Sequence, residues 1–270
     1  MKLSRTNTIL AKMKEQGITH ALVSDPYSIF YLTGFLENPG ERFFAILLDE
    51  NGNHKLFLNI LFPLEEDLGL EIVSYSDTDD IISKVAEYIP DGTKLGIDKI
   101  LPARFLLPLM DKLPKTKFVD VSVLVDTTRM LKDEEEKELM RISSELNDKA
   151  CQFVIDNITE HTTEKDLVKK LLAYYEEIGV EGTSFAPIIA FGDNGANPHG
   201  MPGDRKPKPG ESVIVDIGGI KDKYCSDMTR TVFFKQPTPE DREVFEIVLE
   251  AVKRLSLIHI SEPTRQAEIS

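Results

Sequence analysis

Two aspartates and a histidine carry the strongest chemical signal in this sequence. Asp216 interrupts the apolar run Val213-Ile214-Val215-Asp216-Ile217-Gly218-Gly219, and Asp227 follows in Tyr224-Cys225-Ser226-Asp227-Met228-Thr229-Arg230-Thr231-Val232-Phe233-Phe234. The two runs read as a β-hairpin joined by the polar loop Ile220-Lys221-Asp222-Lys223. A strand apolar on both sides of a carboxylate is covered on at least one face, where an unpaired anion is expensive. If pairing sets the carboxylates about 4 Å apart, they repel by roughly 4 kcal/mol at an effective dielectric of 20, and something positive must compensate. Arg230 lies an odd number of residues from Asp227 and is expected on the opposite face. Two divalent cations bridged by the carboxylates would answer the repulsion and supply a catalytic function. The blander reading is a pair of satisfied structural carboxylates, or one aspartate at a strand end in water, and spacing alone does not choose. His199 tips the balance toward catalysis, because it sits in the loop Gly195-Ala196-Asn197-Pro198-His199-Gly200 between an apolar strand and the Asp216 strand. A lone loop histidine is usually only solvent-exposed, and His20, His54 and His161 keep that reading.

The elements that must position these residues begin where the chain changes character, at Asp126-Thr127-Thr128. Asp133 can cap a long helix reaching Asn157, with Leu139, Ile142, Leu146, Ala150 and Phe153 as its buried stripe and Asp133 to Glu136 as a solvated, dipole-matched start. Thr163 caps the next helix, which Gly179 stops, and from Phe185 onward the pattern is strand and turn. Upstream, a helix capped by Ser4, a strand at 21–23, a hairpin of 43–48 with 54–58, a helix over 77–89 and strands at 94–97 and 118–125 alternate as in an α/β domain. That first part shows no glycine fingerprint, P-loop or histidine cluster.

Composition narrows the partners. The 270 residues are 41% hydrophobic and 29% charged with a net charge of −14, which suits a folded chain and argues against nucleic acid and anionic membranes as partners. No apolar run is long enough for a membrane span and no apolar stretch follows the basic N-terminus, so a cytoplasmic location is expected. Cys151 and Cys225 are far apart in sequence and read as reduced, buried thiols.

The segment 255–270 resembles the in-frame translation of a transposase adapter used to build sequencing libraries, and it is set aside from fold reasoning. The expectation is a genuine chain interrupted near Arg254, with its downstream part missing.

His199, Asp216 and Asp227, in this order along the chain, resemble the pita-bread metallopeptidase family, in its Xaa-Pro aminopeptidase and prolidase branch, which includes creatinase. Val215-Asp216-Ile217-Gly218 through Thr231 is similar to the strand pair bearing the family's first two metal ligands, and Pro198-His199-Gly200 to its loop with a proton-handling histidine. Tyr31-Leu32-Thr33-Gly34-Phe35 resembles the creatinase-type N-terminal domain, and 129–138 the junction into the catalytic domain. The resemblance implies an α/β creatinase-like N-terminal domain at 1–127, an incomplete α+β pita-bread catalytic domain at 128–254, and the adapter-derived tail after it. It implies that Asp216 and Asp227 bind two divalent metal ions, manganese first, with cobalt or zinc as alternatives. Water activated between them would attack the carbonyl of an Xaa-Pro bond while His199 stabilises the tetrahedral intermediate or shuttles its proton. The implied partners are a proline-containing peptide or dipeptide substrate and a second copy of the chain in a homodimer. The family's complete site needs a further histidine and two glutamates. Between Met228 and Arg254 there is no histidine, and Glu240, Glu243, Glu246 and Glu250 read as a solvated helix face. The chain as written is therefore expected to bind metal weakly and to lack activity. A creatinase-like C–N hydrolase and a pita-bread binding module without metal are the rival readings.

Overall fold

A computed structural model describes the backbone of residues 1–260 and the side chains of residues 1–255. The tail read as adapter-derived lies outside the described residues from position 261 on. The chain divides into two compact units between Lys132 and Asp133. The domain boundary expected at 127/128 falls inside a helix, Ser122–Arg129, that completes the first unit.

The first unit runs α1 (Leu3–Glu15), β1 (His20–Val23), α2 (Pro26–Thr33), β2 (Ala45–Asp49), β3 (Lys55–Asn59), β4 (Glu71–Tyr75), α3 (Ile81–Ala86), β5 (Lys94–Ile97), α4 (Ala103–Lys112), β6 (Lys117–Asp120) and α5 (Ser122–Arg129). Its mixed sheet has the order β4-β3-β2-β1-β5-β6. β1 and β2 are buried at every position, as strands covered on both faces must be. One cluster joins Ile9, Met13 and Leu32 to Ile46, Leu48 and Leu124, and another joins Leu22, Leu47 and Phe57 to Val85, Phe105 and Leu109. The hairpin of β2 and β3 is present in antiparallel register. The strand expected over 118–125 stops at Asp120, whose carboxylate accepts the Ser122 N–H at 2.8 Å, and the chain turns into α5. The helix expected over 77–89 shortens to α3, because Asp80 caps it through the Ser83 N–H.

The second unit opens with α6 (Glu134–Asp156) and α7 (Glu164–Glu177), followed by β7 (Gly182–Thr183), β8 (Ile188–Phe191), a short 3₁₀ turn over Gly192–Ala196, β9 (Ser212–Ile217), β10 (Gly219–Lys221), β11 (Tyr224–Cys225), β12 (Met228–Phe233) and α8 (Pro239–Ile260). Asp133 and Thr163 cap α6 and α7, each in a reciprocal capping box, with Glu136 and Asp166. Two three-stranded sheets share the long hairpin, in the orders β12-β9-β8 and β11-β10-β7. The first packs one face on the helices through Ile189, Phe191, Val213, Val215 and Ile217 against Ala150, Val154, Leu167 and Leu171.

The stripe that α6 buries is rotated from the one its leucines and isoleucines suggest. Glu136, Ser143, Asn147, Ala150, Cys151 and Val154 are buried, whereas Leu139, Ile142, Leu146 and Phe153 are only half-buried. Backbone carbonyls of the hairpin need donors there, and polar side chains supply them. Cys151 is buried, as expected of a reduced thiol, and burial pushes its pKa up. Cys225 is exposed instead, because it lies on β11 at a sheet edge. Among the described residues no helix is long and apolar enough to cross a membrane.

Candidate functional site

The hairpin that holds the two aspartates is a single register interrupted once. Asp216 faces Thr229 on β12 and Ile188 on β8, and Ile217 faces Met228. Beyond the interruption Ile220 faces Cys225 and Lys221 faces Tyr224, so the loop narrows to two residues, Asp222 and Lys223. Both have positive φ, 49° and 67°, the geometry of the type I′ turn whose twist matches the flanking strands. Glu181 fastens this turn, accepting from the Asp222 N–H at 2.9 Å and from Lys223 Nζ at 2.6 Å.

The interruption is at Gly218. A Cβ there would stand 2.1 Å from Ser184 Oγ and 2.3 Å from the Ser226 carbonyl, a closeness that only glycine permits. The same register sets Asp227 opposite Gly218, so Asp227 is diagonal to Asp216 and not its direct partner. Diagonal backbone positions are roughly 7–8 Å apart, wider than a directly opposed pair, which lowers the repulsion between the two side chains. Water weakens it further, since Asp216 is half-buried and Asp227 exposed.

Alternation decides which face the aspartates occupy. Val213, Val215 and Ile217 point into the helices, which leaves Ser212, Ile214 and Asp216 on the other face of β9. Asp216 is half-buried on that face and lines a groove. There Thr229 Oγ donates to Asp216 Oδ1 at 2.7 Å. Arg230 faces Val215 on the opposite side, as the odd spacing requires, and its guanidinium donates to the Thr229 carbonyl.

Support comes from beneath. Asn147 on α6 donates to the Ile217 carbonyl at 3.0 Å and accepts from the Tyr175 hydroxyl at 2.6 Å, entirely within the core. Burial pushes the Tyr175 phenol far up, so it stays a donor. Ser143 donates to the Tyr224 carbonyl, and the Tyr224 hydroxyl donates to Glu136 Oε1 at 3.1 Å. The acidic start of α6 is thus only partly solvated: Glu136 is 4% exposed and reaches the hairpin.

His199 is exposed, on the loop after β8. Its backbone N–H donates to Asn197 Oδ1 at 3.1 Å. The loop residues just before it, Gly195 to Pro198, wall a groove of about 270 Å³ that Asp216, Thr229, Ile188 and Ile214 complete. The structure therefore brings the His199 loop and Asp216 to one groove, while the His199 ring is not part of its lining. Sequence reading missed Thr229, Asn147, Glu136 and Glu164. Thr229 could have been found from hairpin register, since it sums with Asp216 about the two-residue turn. The others act across 27 residues or more, and no local pattern announces them.

The residues from 5 to 131 match the Creatinase/Prolidase N-terminal domain, and those from 138 to 264 match Metallopeptidase family M24. An uncharacterized peptidase of Staphylococcus saprophyticus is 34% identical over 257 residues, covering 94% of this chain and 72% of its own length. The chain belongs to metallopeptidase family M24. Among solved structures, the prolidase from Thermococcus sibiricus has a TM-score of 0.83 at 32% identity, covering 93% of this chain and 70% of that one. The prolidase from Pyrococcus horikoshii has a TM-score of 0.81 at 28% identity, with coverage of 93% and 71%. The fold is accordingly a creatinase-type N-terminal domain followed by M24 pita-bread architecture, and the chain spans about 70% of these relatives' length.

M24 enzymes use divalent metals, and the donors present suit such ions in kind but not in number. Asp216 and Asp227 offer hard oxygen ligands on one open face, yet among the described residues no group of three or more His, Cys, Asp or Glu side chains could hold an ion. A full ligand set needs donors beyond those two carboxylates.

Proposed function

We propose that the site built on this hairpin serves metal-dependent hydrolysis of Xaa-Pro peptide bonds. The carrying observation is Asp216, a carboxylate placed on the open face of an otherwise apolar strand, with Asp227 diagonal to it and the Thr229 hydroxyl donating to it. The likeness to two solved prolidases supports peptides ending in proline over creatine as substrate. Asp216 and Asp227 would hold the metal ions, manganese first, which when bound supply Lewis-acid polarisation and an acidified water. This chain's residues do the rest. Thr229 fixes the Asp216 carboxylate, Asn147 holds the strand end, the Gly195–Pro198 wall limits how substrate enters, and His199 handles the proton at the edge of the groove. A cytoplasmic location and a homodimer belong to the same reading.

The test is calorimetric titration of the purified chain with manganese, cobalt and zinc, alongside proline release from an Xaa-Pro dipeptide. Metal binding is expected to be weak and to vanish in both Asp216→Asn and Asp227→Asn. Proline release is expected near background, because two carboxylates do not complete a two-metal site. Binding unchanged by both substitutions would overturn the ligand assignment, and turnover of creatine in preference to the dipeptide would overturn the substrate. For His199, an Xaa-Pro dipeptide is expected to shift its ring resonances in NMR spectra.

A further inference from the structure

We propose that Glu164 is the positioning residue of the His199 loop, an inference that rests on reading His199 as the proton-handling residue. Glu164 is the first residue of α7, where a carboxylate ordinarily faces water and complements the helix dipole. Here it is fully buried, at 0% exposure. Its Oε1 accepts from the Phe191 N–H at 2.8 Å. Its Oε2 accepts from Asn194 Nδ2 at 2.9 Å and from the Gly203 N–H at 2.6 Å. All three partners are donors, which matches an acceptor-only group.

The positions of those donors give the arrangement its meaning. Phe191 ends β8 and Gly203 lies just beyond His199, so one carboxylate closes the segment 191–203 at both ends. The main chain doubles the closure, since Glu164 N–H donates to the Arg205 carbonyl and Lys165 N–H to the Gly203 carbonyl. Within the loop the tie continues inward. The Asn197 N–H donates to the Asn194 carbonyl at 3.3 Å, and Asn197 Oδ1 accepts from the His199 N–H at 3.1 Å. Gly200 seals the turn, because a Cβ there would come within 3.1 Å of the Asn197 carbonyl and 3.2 Å of the Asn194 carbonyl. Hydrogen bonds therefore run unbroken from Glu164 through Asn194 and Asn197 to His199. The same Gly195–Pro198 stretch walls the Asp216 groove, so the carboxylate sets where that wall and His199 stand.

A residue that merely holds the fold and one that positions this loop differ in where their loss is felt. The experiment is residue-resolved amide hydrogen exchange on the full chain, with Glu164→Gln and Asn194→Ala as variants. Glu164→Gln places an NH₂ against N–H donors. Asn194→Ala cuts the inward tie while leaving the buried carboxylate its two main-chain donors, the Phe191 and Gly203 N–H groups, and it tests the proposal even if the first variant folds poorly. In both, the Gly200 and Gly203 amides are expected to exchange at least about tenfold faster while Val213 and Val215 stay within about twofold of wild type, the signature of local opening. The His199 ring resonances are expected to move in both variants. Loop exchange unchanged in both variants overturns the proposal. So does acceleration of Val213 and Val215 equal to that of the loop, which would leave Glu164 with a structural role alone. These rates are independent of what His199 does chemically. An Xaa-Pro dipeptide that leaves the wild-type His199 resonances unmoved, with loop exchange as expected, would sink the reading of His199 and leave the positioning role standing.

Discussion

The sheet of the first unit and the β12-β9-β8 sheet of the second solve the same burial problem in opposite ways. In the first, β1 and β2 are buried at every position because helices cover both faces; their side chains are apolar except at the paired ends His20 and Asp49, where the Asp49 carboxylate is satisfied by Asn51 and Asn53. In the second, β9 alternates, with Val213, Val215 and Ile217 in the core and Ser212, Ile214 and Asp216 half-buried on the far face. A two-sided core has no room for an uncompensated charge, whereas a one-sided sheet keeps a wet face on which carboxylates can be held ready for a cation. The chemistry sits where the packing is incomplete.

That contrast yields graded expectations. Leu22→Ala removes a fully buried side chain from the two-sided core and is expected to cost about 3 kcal/mol in urea denaturation; a cost below about 1 kcal/mol would mean that this core collapses around the loss. Asn147→Ala strips the Ile217 carbonyl and the Tyr175 hydroxyl of a buried partner and is expected to cost about 2 kcal/mol, read in the same way. It should also broaden the amide signals of Asp216 and Met228, which Leu22→Ala leaves alone.

A smaller effect follows pH in the first unit. Burial pushes the His54 imidazole below its ordinary pKa, and its Nδ1 accepts the Asp49 N–H at 3.2 Å, so the folded form prefers neutral His54. The unfolded chain then binds the extra proton first. Stability is full above the ordinary histidine value of about 6.5 and declines as pH falls below it toward the depressed folded value. His54→Gln should flatten that slope between pH 7 and pH 5, and an unchanged slope would assign it to other groups. The smallest stability change is expected from Asp216→Asn, within about 0.5 kcal/mol because its side chain keeps an acceptor for Thr229 on a half-wet face. Metal binding is expected to disappear in that same variant, which separates the face's function from the fold's stability.

The capping residues Asp133 and Thr163, the first hairpin and the second were legible because each is encoded within a few neighbouring residues: a hydroxyl or carboxylate before a helix, or alternation around a polar turn. Asp216 was legible as an anomaly, a charge in an apolar run. The side of α6 that is buried was not legible. Its apolar residues favour Leu139 and Leu146, but the hairpin above it presents carbonyls, and Ser143 and Asn147 turn inward to meet them. The exposure of Cys225 was equally hidden, since it depends on which strand ends at a sheet edge.

The sequence by itself determined the two hairpins, the Asp133 and Thr163 caps and the residue types able to bind a cation, because hydrophobic period and local hydrogen bonding act over a turn or a pleat, whereas the Ser4 cap was misread, since α1 already begins at Leu3. Only the tertiary structure decided that Asp227 is diagonal to Asp216, that Gly218 is pressed against Ser184 and Ser226, and that Glu164 leaves solvent to hold both ends of the His199 loop. Those outcomes depend on groups far apart in the chain competing for the same space and the same donors, and that competition exists only once the chain has folded.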